Sequence, residues 1–289
     1  MTLAQIIPLV LTASIFLNVL ALGLAANLED ATYLFRRPWL LLRAVLSMNV
    51  LMVLIVVACA SIFDLTFPVK VVLLALAVSP VPPLLPTKER KHGATRSYAV
   101  GLLVSAVLLS LVFIPWSIEW IGEYFGRETH VSASDIAPVI LISAIVPLAL
   151  GILVHRLMPD LAEKFVRPVS LLSMILLVLG ALPILFTMSG AIWTTIVNGS
   201  LIALACFTLI GLAVGHILGG PDPGNRTALA LATCSRHPGM ALTIASLNFP
   251  DQKAAFMAVV ILHLIVGALA SIPYLRWRIS RDRVAWTPP

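Results

Sequence analysis

The chain has 289 residues, of which 60% are hydrophobic and only 11% charged, and its mean hydropathy is +1.03. Soluble domains carry about a quarter charged residues, so this composition excludes an ordinary globular protein and describes an integral membrane protein of one domain. The net charge of +6 follows from membrane topology, as argued next, and does not point to nucleic acid.

Runs of about 20 apolar residues, the length a helix needs to cross hydrocarbon, fall near residues 3–26, 39–62, 69–87, 97–121, 134–155, 168–188, 198–218, 226–248 and 254–275. The expectation is an all-α membrane protein with nine transmembrane helices. The first run lacks a basic leader and stays apolar for too long to be a cleavable signal, so it reads as a span. Connections alternate in charge. Arg36 and Arg37, then Lys88, Arg90, Lys91 and Arg96, then Arg156, Lys164 and Arg167, then Arg226, and finally Arg276, Arg278, Arg281 and Arg283 fall on one side. The other side holds Glu119, Glu123, Glu128 and Asp135, with Lys70, Arg127 and Lys253 as the exceptions among its charges. Basic residues stay cytoplasmic. This predicts an outside N-terminus, an inside C-terminus and a plasma (inner) membrane location. Trp39, Trp116, Trp120 and Trp277 fit interfacial belts. Cys59, Cys206 and Cys234 have no metal or redox spacing and read as packed free thiols.

The eighth run, RTALALATCSRHPGMALTIASLNF from Arg226 to Phe249, carries Arg236, His237, Pro238 and Gly239 in its middle. Proline removes a backbone donor and glycine removes helix-stabilising side-chain order, so the helix is expected to break there. A broken helix leaves unpaired carbonyls and N–H groups that hydrocarbon cannot satisfy, and a mid-span arginine costs roughly 2.5–3.5 kcal/mol even on lenient scales. Such costs mark a functional centre. The third run has its own break at Pro80, Pro82 and Pro83, and its ALAVSPVPP at 75–83 resembles ALATCSRHP at 230–238. The two are predicted to be inverted copies, in a first repeat over about 1–122 and a second over about 133–276, with a short basic tail at 277–289. Paired interrupted segments in opposite topology point to the substrate site of a secondary transporter.

The pattern GNRTALALATCSRHPGMALTIASLNFPDQ, with the proline-rich SPVPP earlier, resembles the bile acid:sodium symporter superfamily. The resemblance implies a core with two crossing broken helices, a separate panel, and sodium-coupled uptake of organic anions. It also implies an acidic residue and a glutamine in the second broken helix and Ser and Asn after the first break. Here Ala232, Arg236, Leu85 and Pro86 stand in those places, so the sodium ligands of the family are missing. Arg236 is then a built-in cation near the negative end of a half-helix. The second half-helix, opening at Gly239, offers N–H groups to an anion.

The expected substrate-binding set is Arg236, His237, Gly239, Ser235, Thr233, Ser79, Asn18 and Asn49, with Pro80, Pro82, Pro83 and Pro238 as helix breakers. Each has a plainer reading. Arg236 and His237 could hold the crossing through hydrogen bonds, and Asn18 and Asn49 could serve interhelical bonding alone. His237, or less readily His263, is the candidate for proton coupling. The expected function is secondary transport of a small organic anion, with no resident cofactor or metal, no enzyme activity, and sodium or protons as the coupling ions to decide between. A receptor or scaffold that keeps the fold is the alternative. Arsenite-type efflux is another, with Cys234 as its nearest thiol. Enzymatic use of Cys234 or Ser235 lacks a defined base and orienting group beyond His237.

Overall fold

The computed structural model describes residues 3–82, 96–196 and 200–285 and is helical, with no strand among them. Pro83, Leu85, Pro86 and the basic residues Lys88, Arg90 and Lys91 lie outside the described residues. Helix α1 (Leu3–Leu24) is followed by the short α2 (Leu28–Thr32), then α3 (Pro38–Ile62), α4 (Phe67–Val78), α5 (Arg96–Tyr124) and α6 (Ala133–Leu157). The second part of the chain forms α7 (Pro159–Thr187), α8 (Ser189–Thr195), α9 (Leu201–Leu218), α10 (Pro223–Cys234), α11 (Pro238–Asn248) and α12 (Lys253–Ala285). Among the described residues seven helices are long and apolar enough to cross a membrane, namely α1, α3, α5, α6, α7, α9 and α12.

Local chemistry sets many of the boundaries. Pro38, Pro159, Pro223 and Pro238 open their helices at a first-turn position where the missing N–H costs nothing. Asn27 with Asp30, and Ser132 with Asp135, form reciprocal capping boxes at α2 and α6. Two expected boundaries need correction. The third predicted run, 69–87, ends as a helix at Val78, because Pro80 pushes Ser79 into an extended conformation (φ −70°, ψ 148°) before Pro82 is reached. The sixth begins earlier than 168, since Pro159 and Asp160 give it a favourable first turn. Within the basic segment, α12 continues to Ala285, with Arg276, Arg278 and Arg281 suited to the negative end of a long helix.

The helices share two ends. At one, the His155 ring donates from Nδ1 to the Leu24 carbonyl (2.9 Å), Ser97 donates to the buried Asp30, and Arg278 donates to the Pro223 carbonyl (3.2 Å). At the other, the His130 N–H donates to Asn248 Oδ1 (2.9 Å), Ser61 donates to the Tyr124 hydroxyl (3.3 Å), and the Phe67 and Phe249 rings meet edge to face at 5.0 Å. The first end gathers Arg36, Arg37, Arg156, Arg226, Arg276, Arg278 and Arg281, and the second gathers the carboxylates Glu119, Glu123 and Glu128.

Small residues let backbones touch. A Cβ added to Gly211, Gly215 or Gly219 would lie 2.8, 2.5 or 2.3 Å from the Cα of Cys234, Ala230 or Arg226, so one face of α9 presses directly on α10 along its length. Gly23 and Gly151 do the same between α1 and α6. Helix α1 packs chiefly on α6 and α7. The outer face of α7 is apolar and exposed at Leu171, Met174, Val178 and Leu182, as a helix facing lipid requires.

Candidate functional site

Helices α4 and α10 both stop inside the molecule, and the stops touch. Their two C-terminal ends carry unpaired carbonyls and the negative ends of two helix dipoles. Between Cys234 and Pro238 the chain is extended, with Ser235 at φ −102°, ψ 128° and His237 at φ −69°, ψ 105°, the latter held out of the α region by the proline that follows. The His237 N–H donates to the Pro80 carbonyl (2.9 Å), which ties the second interruption to the first.

Arg236 completes the junction. It is among the largest fully buried side chains, at 1% exposure. Its Nη1 donates to the Ser79 carbonyl (3.2 Å), at the end of α4, and its Nη2 donates to the Met48 carbonyl (2.7 Å) in α3. Arg236 was expected to serve the carbonyls of its own half-helix; it serves those of two other segments instead. Met48 lies in a π turn over Leu46–Leu51, an irregularity that frequently accompanies functional sites. The next turn of contact is polar too, with Ser47 Oγ 2.7 Å from Thr233 Oγ1, which also donates to the Leu229 carbonyl (2.7 Å).

The ring of His237 has a defined task. Its Nδ1 accepts from the Met240 N–H (3.1 Å) and caps α11. That nitrogen therefore carries no proton, and one of the N–H groups expected to face an anion is already bonded. Gly239, in the same first turn, remains exposed. Three buried nitrogens, Arg236 Nε, His237 Nε2 and His263 Nδ1, have no hydrogen-bond partner among the described residues.

Of the residues singled out in the sequence, Ser79, Pro80, Thr233, Ser235, Arg236, His237, Pro238 and Gly239 gather at or beside this junction. Ser79 contributes its backbone carbonyl, since its hydroxyl donates to the Ala75 carbonyl (2.7 Å). Pro82 lies in the extended segment beyond it. Asn49 sits half-buried in the π turn next to Met48. Asn18 is buried on α1, whose principal neighbours are α6 and α7 rather than the interrupted helices. His263 packs edge-on against Phe207 at 5.4 Å. Ser47 and the Met48 carbonyl are the site groups that sequence reasoning missed. The neighbouring Asn49, polar in an apolar run, was the signal within reach.

The arrangement makes a buried cation held by backbone oxygens. Arg236 donates to the Ser79 and Met48 carbonyls, and no carboxylate pairs with it among the described residues. Neither α10 nor α11 contains an acidic residue, and Ala232 is fully buried.

No curated protein matches the chain. The pattern of the sodium bile acid symporter family matches residues 12–196, which takes in α1 to α8 and stops short of the second interruption. A match over well over half of the chain, on a fold of apolar helices, identifies a membrane transporter, and the protein belongs to the sodium bile acid symporter family.

Proposed function

We propose that this family member is a secondary transporter of a small organic anion and that it works without sodium. The observation that carries the proposal is the clamp of Arg236 on the Ser79 and Met48 carbonyls. Backbone oxygens freed where helices are interrupted are what a hard cation would take as ligands. Here guanidinium N–H groups occupy them. A permanent charge in the same place also repels a second cation.

The same charge favours an anionic substrate. A buried cation without a carboxylate partner is costly, and an anion arriving about 5 Å away at an effective dielectric of about 20 gains roughly 3 kcal/mol, on the order of a hundredfold in Kd. The exposed first turn of α11 at Gly239 offers the helix N-terminus from which such an anion would approach. In this reading α4 and the pair α10–α11 belong to two more crossings, for nine in all. The two interrupted segments form an inverted pair, the N-terminus lies outside, and the basic end faces the cytoplasm.

Counterflow in proteoliposomes tests the transport claim. Vesicles preloaded with an unlabelled bile acid, a short-chain keto acid or an aromatic carboxylate should accumulate the labelled form of at least one of them transiently and saturably. Binding without counterflow for every anion of the panel would instead assign the fold to a receptor.

A further inference from the structure

The charge pattern of the loops left Lys70 and Arg127 on the acidic side without a purpose, and the fold brings the two together. Both line a cavity of about 400 Å³ at the end of the molecule opposite the basic loops, between the start of α4, the end of α5 and the end of α11. Apart from Thr129 and Asn248 its walls are otherwise apolar, with Phe67, Phe125 and Phe249 around it and Ala75 among the lining residues, one turn before Ser79. No acidic side chain lines it among the described residues. The carboxylates at this end are engaged elsewhere or face out: Glu119 pairs with His130 at 3.3 Å, Asp135 caps α6, and Asp64, Glu123, Glu128 and Asp251 are exposed.

The cavity is braced. Phe67 and Phe249 meet edge to face at 5.0 Å, and the Arg127 guanidinium lies 5.2 Å over the Phe67 ring. Asn248 is held on both sides, donating to the Ile244 carbonyl (3.0 Å) and accepting from the His130 N–H (2.9 Å). Thr129 donates to the Ile118 carbonyl (2.9 Å) and closes the loop over the end of α5. Lys70 is half-buried and Arg127 exposed, which puts apolar volume and two cations in one concave site. Concave apolar sites of this size with a few placed polar groups are the usual form of a small-molecule pocket.

We propose that this cavity binds an amphipathic organic anion, its ring body against Phe67, Phe125 and Phe249 and its charged group at Lys70 and Arg127. The site is distinct from the Arg236 junction and does not depend on transport. Its ligand chemistry is available from a soluble aromatic carboxylate or from an anionic lipid.

The test is calorimetric titration of 1-naphthoate into the full chain in phosphatidylcholine nanodiscs, with empty nanodiscs as reference and the uncharged 1-naphthalenemethanol as the matched probe. Naphthoate should bind saturably and at least tenfold more tightly than the alcohol. The double variant Lys70→Gln, Arg127→Gln should lose at least tenfold in naphthoate affinity and keep its affinity for the alcohol, whereas Lys70→Arg should stay within threefold of the original. Leu74→Trp, which fills the cavity from α4, should abolish binding of both probes at an unchanged melting temperature. Repeating the titration with phosphatidylglycerol present separates the sources: competition assigns the site to lipid, and its absence assigns it to a soluble anion. Absent naphthoate binding, equal affinity for the two probes, or a double variant that binds naphthoate as the original does would each overturn the proposal.

Discussion

The interruption after α4 and the interruption after α10 sit against one another and contribute opposite chemistry. The first presents acceptors, the Ser79 and Pro80 carbonyls, while the Ser79 hydroxyl turns back to the Ala75 carbonyl of its own helix. The second presents donors: the Arg236 guanidinium, and the His237 N–H whose ring also caps the helix that follows. A proline begins the irregular stretch in one and ends it in the other. Two segments that look alike in sequence are therefore complementary rather than equivalent. The first cannot be satisfied without the second, whereas α11 has its cap from within its own segment.

That asymmetry orders the consequences of substitution. Arg236→Ala leaves the Ser79 and Met48 carbonyls buried without donors and should cost about 3–5 kcal/mol, the range for breaking a buried charged contact. Thermal unfolding in nanodiscs would show it as a large drop in Tm, and Arg236→Lys should recover only part, since one ammonium cannot reproduce the two-armed geometry. Gly215→Leu attacks the second interruption alone by forcing α9 away from the Ala230 backbone, which a Cβ at that position would approach to 2.5 Å. A loss of about 1–3 kcal/mol is expected from such overpacking, together with reduced anion binding at the junction as α10 shifts. His237→Ala removes one helix cap and should cost about 1 kcal/mol. His237→Asn keeps a cap acceptor and should restore that stability. If anion uptake in His237→Asn keeps the pH profile of the original protein, the ring acts as a cap; a flattened profile would make it a proton carrier after all.

Much of this was readable from local rules. The apolar runs, the alternation of basic loops and the break inside Arg226–Phe249 follow from length, charge and proline chemistry; seven of the runs are long apolar helices among the described residues, and the break is present in the fold. The family match, in contrast, covers residues 12–196 and so rests on helices other than the one whose residues first suggested the resemblance. What the residues did not disclose is set by contacts between distant segments. The break after α4 falls at Ser79 and not at Pro82–Pro83, because the first proline of a cluster already removes the preceding residue from the helix. In Leu-Ser-Met-Asn-Val-Leu, Asn49 marks a polar position in an apolar run, but not the π turn that frees the Met48 carbonyl. The destination of the Arg236 side chain, two carbonyls 157 and 188 residues away in sequence, is a property of packing alone.

The central claim is that a guanidinium occupies the place of a coupling ion where the two interruptions meet. The most direct measurement is the initial rate of anion uptake into proteoliposomes with external sodium replaced by choline at fixed pH, made on whichever anion shows counterflow. The account predicts equal rates in the two salts, within about twofold, for the original protein. A fall of tenfold or more on removing sodium would contradict it, and would mean that a sodium site exists despite the clamp on Ser79 and Met48.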